Sequence, residues 1–195
     1  MKVLCVLCNP KPLEESYSKK MAMKFIEEYK KNNENSEVDI LDLYKENFQS
    51  LSYETLQEAQ FDRCGKMVDE AERFAEYDKY IIAAPMWNLS VPSILKSYID
   101  HIISKGITFR YSKNGMPMGL LKNKKAVYLG TRGGYYPFPL SLFAFDLKYV
   151  KYVFRFMGIK NFDSIMLQNV DKKPNDRERN FEKISKKIEQ YTKTF

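Results

Sequence analysis

Three short stretches carry residues whose types and spacing suit chemistry. In Asn9–Ser18 the sequence ends in Ser16-Tyr17-Ser18 just before a helical pattern. Unpaired backbone N–H groups and the positive end of the helix dipole favour an anion there, and two hydroxyls add neutral donors. A phosphate monoester could be held without a lysine; the alternative is that the serines only cap the helix. The second stretch is Pro85-Met86-Trp87-Asn88-Leu89-Ser90-Val91-Pro92. An indole in a loop needs an apolar surface beside it. Either a flat heteroaromatic ligand supplies one, with Asn88 able to donate and accept at its edge, or Trp87 plugs the core. The third is Thr131-Arg132-Gly133-Gly134-Tyr135-Tyr136. Paired glycines let backbone lie against a flat ligand or adopt positive φ, with N–H groups facing ring oxygens. The plain reading is a strand-to-helix turn, with Arg132 in a salt bridge.

The elements that must position these stretches follow from hydrophobic patterning. Residues 2–8, 37–43, 78–84, 125–131 and 159–168 read as strands; the first is apolar enough to be buried on both faces. Ser16 or Ser18 fits as N-cap of the first helix, in which Met21, Phe25 and Tyr29 recur along one face. Further helices are expected over 53–76, with a break near Gly65, over 91–104 with Pro92 in the first turn, over 139–157, and over 175–193. A loop or hairpin covers 106–123. The alternation βαβαβαβαβα predicts one α/β domain over 1–195, a three-layer sandwich on a parallel sheet of order 2-1-3-4-5. Ligands then bind beyond the strand carboxyl ends at the switch point, where the three stretches fall. None of them is a G-x-G-x-x-G or a P-loop.

Composition narrows the classes. The chain has 195 residues, 44% hydrophobic and 29% charged, long enough for a core without staples. The net charge of +7 is spread over helix faces and the tail, as in Lys183, Lys186 and Lys187, without a block of five basic residues. That favours a solvated surface over nucleic-acid binding. No apolar run approaches 18 residues, and Met1-Lys2-Val3 leads straight into a strand, which leaves no place for a signal peptide or a membrane span. Cys5 and Cys8 share C-x-x-C spacing but lie inside a strand, where a disulfide between them is awkward and reduced thiols in a cytoplasmic protein are expected. His101, the only histidine, reads as structural. No Ser/His/Asp set and no metal-ligand set stands out.

Taken together, PMWN, KSYIDHI and TRGG at their distances, preceded by an opening strand and SYS, resemble the FMN-dependent NADH azoreductases and NAD(P)H quinone reductases, members of the flavodoxin-like superfamily. The resemblance spans nearly the whole chain and is strongest over 85–136. It implies that Ser16, Tyr17 and Ser18, with Asn9 nearby, bind the FMN phosphate. It also implies that Pro85, Met86, Trp87, Asn88 and Leu89 line the flavin ring, and that Thr131, Arg132, Gly133 and Gly134 meet its polar edge. Asn9 and Thr131 stand where serine is common and stay polar; Leu89 stands where phenylalanine is common and removes an aromatic face. The resemblance further implies NADH or NADPH as co-substrate, small aromatic acceptors, and a homodimer with the site at the interface, which the aromatic run 135–138 and the 106–123 segment would help to shape. Chemistry would be carried by FMN, with no catalytic side chain. A flavodoxin-type electron carrier is the nearest alternative, but the chain is basic and lacks a T-x-T-G-x-T loop. A receiver domain would need a phosphorylatable Asp where the third strand ends in Ala-Pro-Met-Trp.

Overall fold

The computed structural model describes residues 1–46, 48–62 and 64–195, with the side chains of 61 and 62 left out. Seven strands and six α-helices are described: β1 (Lys2–Leu7), α1 (Tyr17–Asn32), β2 (Glu37–Asp42), α2 (Tyr53–Gln57), α3 (Lys66–Glu76), β3 (Lys79–Pro85), α4 (Ser93–Ile102), β4 (Phe109–Tyr111), β5 (Pro117–Gly119), β6 (Lys125–Thr131), α5 (Phe145–Phe156), β7 (Asn161–Leu167) and α6 (Arg177–Thr192). The main sheet is parallel, in the order β2-β1-β3-β6-β7. With strands counted without the short β4–β5 hairpin, this is the expected 2-1-3-4-5. The chain leaves β1 toward β2 on one side and returns to β3 on the other, so a crevice opens beyond the carboxyl ends of β1 and β3.

Period-two alternation separates two cores. From β1, Val3, Cys5 and Leu7 pack with Met21, Phe25 and Tyr29 of α1 and Ile188 of α6. Leu4, Val6 and Cys8 face the other way, toward Phe74 of α3, Tyr98 of α4 and Phe154 of α5. Each face of the sheet is thus covered, which explains why β1 is apolar at nearly every position. The same alternation settles the cysteine spacing: side chains three apart leave a strand on opposite faces. Cys5 and Cys8 are free thiols in different cores. Burial pushes the Cys5 thiol up to about 12, and it raises Cys8 well above its ordinary value.

Several boundaries differ from expectation for local reasons. The first helix starts after Ser16, whose hydroxyl accepts the Lys19 N–H, so Ser16 and not Ser18 is the cap. Pro92 is the N-cap of α4 rather than part of its first turn. The stretch expected to be helical over 53–76 with a break near Gly65 does break there, Gly65 opening α3 at φ +86°; what precedes it is α2 and a π-helical turn at Glu58–Asp62, and Arg63 lies outside the described residues. The aromatic run expected as a helix over 139–157 is a 3-10 turn at Leu140–Phe143 and then α5, parted at Ala144 with ψ 90°. The segment 106–123 takes its hairpin form, β4 pairing antiparallel with β5.

Candidate functional site

Neighbouring strands bring the three stretches together. The Cys8 N–H donates to Ala83 O at 2.9 Å and the Met86 N–H to Thr131 O at 2.8 Å. The loops after β1, β3 and β6 therefore leave one sheet edge side by side.

The first loop builds a buried polar cluster at the start of α1. Asn9, Ser16 and Ser18 are all buried. The Asn9 side-chain amide donates to Ser18 Oγ at 3.4 Å, and Ser18 Oγ lies 3.2 Å from Ser16 Oγ. Asn9 Oδ1 accepts from the Lys11 N–H at 3.1 Å, which fixes the orientation of the amide. The Tyr17 and Ser18 N–H groups fall in the first helical turn, where no intrahelical acceptor exists. The nearby Lys19 ammonium is committed to Asp42 at 3.0 Å, with both side chains largely buried. What remains is a set of neutral donors at a positive helix end, which suits a dianionic phosphate group. Tyr17 differs from its neighbours. Its hydroxyl donates to Glu178 at 2.5 Å and its ring packs edge-on against Phe181. Burial and that carboxylate raise its pKa. The Tyr17 side chain therefore braces α1 against α6, and only its N–H faces the loop.

The second loop turns back on itself. Trp87 and Ser90 exchange two backbone hydrogen bonds of 2.9 Å, with Asn88 and Leu89 between them at φ 46° and 68°. Two consecutive residues in the left-handed region define a type I′ turn. Leu89 O accepts the Phe145 N–H at 2.7 Å, which ties the turn to the start of α5. Pro85 is buried as the last residue of β3, Met86 is half-buried, and Trp87 is 38% exposed. Trp87 is not a core plug. A cleft of about 610 Å³ opens beside it, lined also by Asn88, Lys96 and Tyr149.

The third loop is held open by its neighbours. Thr131 and Arg132 are buried. Arg132 grips Asp146 of α5 with Nε at 3.1 Å and Nη2 at 2.7 Å, and its guanidinium lies over the Tyr136 ring. Its N–H donates to Leu167 O, and its carbonyl accepts from Val170. Arg132 thus spends its polar groups on scaffold. The glycines differ: Gly133 O accepts from Asp171 and Lys172, and Gly134 O from Asn169, while neither N–H donates to an acceptor among the described residues. Neither glycine has positive φ. A Cβ at Gly133 would meet only the Asp171 carboxylate, the end of an exposed side chain that can turn away. The segment after β7, residues 168–172, therefore braces this loop from below, and Gln168 Oε1 accepts the Tyr136 N–H at 2.9 Å. Sequence reading passed over that brace and over Asp146. The signal for the brace was available, since 168–172 follows the carboxyl end of a strand like the other three loops.

A sequence profile described as a flavodoxin-like fold matches residues 1–192. The chain belongs to the flavodoxin-like fold family. Among relatives, an FMN-dependent NADH:quinone oxidoreductase of Coprothermobacter proteolyticus is 42% identical over 200 residues, covering 100% of this chain and 99% of that protein. One of the same name from Clostridium perfringens is 44% identical over 175 residues, 87% of each chain. Among solved structures, an azoreductase from Bacillus anthracis superposes with a TM-score of 0.91 at 28% identity, covering 100% of both chains. An FMN-dependent NADH-azoreductase from Bacillus anthracis, in complex with FMN, gives 0.87 at 25% identity, with 98% and 97% covered. The geometry here fits such a group on its own terms: a buried hydroxyl–amide cluster at a helix start for a phosphate, and a side-chain-free backbone step at Gly133 for a ring edge. Among the described residues, no group of His, Cys, Asp or Glu is arranged to hold a metal ion, and no helix is long and apolar enough to cross a membrane.

Proposed function

We propose that this chain is an FMN-dependent oxidoreductase that takes electrons from NADH or NADPH and delivers them to aromatic acceptors (quinones, azo compounds and nitroaromatics), working as a homodimer in the cytoplasm. The observation that carries the reading is the buried Asn9–Ser18–Ser16 cluster at the start of α1, on the same sheet edge as Trp87 and the Gly133–Gly134 step. Bound FMN would supply the redox chemistry, taking hydride from the nicotinamide and passing it to the acceptor in a ping-pong order, so no side-chain nucleophile would be needed.

The protein's share is position and electrostatics. Ser16, Ser18 and the first-turn N–H groups of α1 hold the phosphate. The Gly133 and Gly134 N–H groups, which have no acceptor among the described residues, would serve the polar ring edge and offset negative charge there, a kind of contact worth about 2–4 kcal/mol when it strengthens in the transition state. Trp87, Met86 and the Asn88–Leu89 turn border the ring, and Arg132 positions the glycine step through Asp146. The relatives' names support the substrate classes.

The test begins with the purified protein and FMN. Bound flavin absorbance is expected, and Ser18→Ala should weaken FMN about tenfold, the effect of one hydrogen bond to a charged group. A protein that takes up no FMN overturns the reading. Mixing the loaded protein with NADH or NADPH without oxygen should then bleach the flavin band. Flavin that binds but resists both nicotinamides leaves a carrier and rejects the enzyme.

A further inference from the structure

One ion pair stands behind the polar cluster at the start of α1. Lys19, the third residue of the helix, sends its ammonium to Asp42, the last residue of β2, at 3.0 Å. The two side chains are only 11% and 12% exposed. Water and salt therefore screen this pair far less than an exposed pair of the same helix such as Lys31–Glu27. No other carboxylate lies within 4.0 Å of the Lys19 ammonium among the described residues.

Both partners are fixed beside the cluster. The Lys19 N–H donates to Ser16 Oγ at 3.3 Å, so the serine that caps the helix also roots the lysine. Asp42 Oδ1 accepts the Tyr44 N–H at 3.2 Å and the Asp42 carbonyl accepts the Lys45 N–H at 2.9 Å, which leaves Oδ2 turned to the ammonium. The ladder ties Asp42 to the strand that feeds the first loop: Leu7 is its partner, and Leu7 O accepts the Leu43 N–H at 3.1 Å. The pair also lines one cleft together with Pro10, Lys11 and Leu13 of that loop. Its two charges act on the loop with opposite sign. Burial is the main cause of the raised Cys8 thiol, Asp42 adds to the rise and Lys19 opposes it, and Cys8 is the residue before Asn9.

A lysine so near an anion site would ordinarily serve as its cation. Here a carboxylate offsets it, and the donors left to a phosphate are the neutral hydroxyls of Ser16 and Ser18 and the first-turn N–H groups. The two ends of a shielded pair oppose each other in their pull on a third charge, so removing either end exposes the other.

We propose that the Lys19–Asp42 pair sets how strongly the site prefers a phosphorylated flavin to an unphosphorylated one, with Asp42 holding back a cation on which the phosphate would otherwise draw. The inference rests on the flavin reading above. Its consequence is a flavin held by neutral donors and free to exchange, where an unopposed lysine would hold it by charge. Neither residue needs to touch the flavin; both act through their field on the phosphate.

The experiment titrates FMN and riboflavin, which differ by the phosphate alone, into the full-length protein and follows the quenching of flavin fluorescence. The readout is the ratio of the two dissociation constants, which a merely structural change leaves in place because it moves both flavins alike. Asp42→Asn keeps a polar partner for the ammonium and removes the opposing charge, so it should shift the ratio toward FMN by about tenfold, the scale of one poorly screened unit charge. Lys19→Met leaves the carboxylate behind and should shift the ratio toward riboflavin by a similar factor. Lys19→Met/Asp42→Leu removes both charges and should bring the ratio back to within about threefold of the parent. Lys45→Gln removes an exposed charge close to Asp42 and should change the ratio less than about twofold. A ratio that Asp42→Asn leaves unchanged, or that Asp42→Asn and Lys19→Met shift the same way, overturns the inference while the flavin reading stands. Lys45→Gln acting as strongly as Lys19→Met would reduce the effect to net charge and overturn it too. A parent that takes up neither flavin overturns both readings. Should Lys19→Met lose the parent circular dichroism, Asp42→Asn and the double variant decide between the same outcomes.

Discussion

Sequence leaves Arg132 two readings, a ligand-loop residue or half of a salt bridge, and its surroundings show the salt bridge. The pair with Asp146 is bidentate and nearly dry, with side chains 8% and 0% exposed. Removing one partner of such a pair leaves an uncompensated buried charge, which costs about 3–5 kcal/mol, whereas replacing both by apolar groups is often neutral. Arg132→Met should therefore lower the urea unfolding free energy by about that amount, and Arg132→Met/Asp146→Leu should recover most of it. Arg132→Lys should fall between, because an ammonium cannot reproduce the fork. If the single variant were as stable as the parent, the pair would not be holding the loop. Ser18 behaves in the opposite way. It is buried with hydroxyl and amide neighbours only, so its loss should register in FMN affinity more than in stability.

At the scale of elements, the turn Trp87–Ser90 shows how a loop stores strain at a site. Asparagine tolerates the left-handed region; leucine enters it at roughly 1 kcal/mol. Leu89→Gly should leave the apo protein as stable as the parent or up to about 1 kcal/mol more stable, while Leu89→Val should destabilise it by about 1–2 kcal/mol, both read by thermal unfolding. A stable Leu89→Val protein would mean that the turn relaxes freely. The order of main elements was legible because each strand is a short apolar run and each helix repeats its buried face, as at Met21, Phe25 and Tyr29. The polar cluster at Ser16 and Ser18 was legible for the same reason, since a cap must sit where the pattern begins. What escaped depends on contacts distant in sequence. Asp146 looks like any first-turn acid until Arg132 reaches it, Gly133 shows no sign of a brace until the Asp171 and Lys172 N–H groups donate to its carbonyl, and the break at Ala144 lies inside an aromatic run with helical spacing.

For the whole molecule, the surface next to the site poses the larger question. From Tyr135 to Phe145 the chain exposes Tyr135, Phe138, Leu140, Leu142, Phe143 and Phe145, with Phe138 at 81%. The Leu89–Phe145 hydrogen bond joins this run to the turn that carries Trp87 and Leu89, both exposed. A soluble monomer seldom leaves so many large apolar side chains together in water. Covering them with the same run of a second copy would hide apolar area twice over and wall the flavin edge with aromatic side chains, as an isologous two-fold contact does. The protein should therefore sediment at twice its 23.0 kDa chain mass. Phe143→Glu would bury a carboxylate in that contact, so it should shift the mass toward the single chain and lower turnover with a quinone at least tenfold. FMN affinity should fall less, because the phosphate cluster lies within one chain. A Phe143→Glu protein that stays dimeric would place the contact elsewhere. A monomeric variant with full turnover would show that each chain completes its own site.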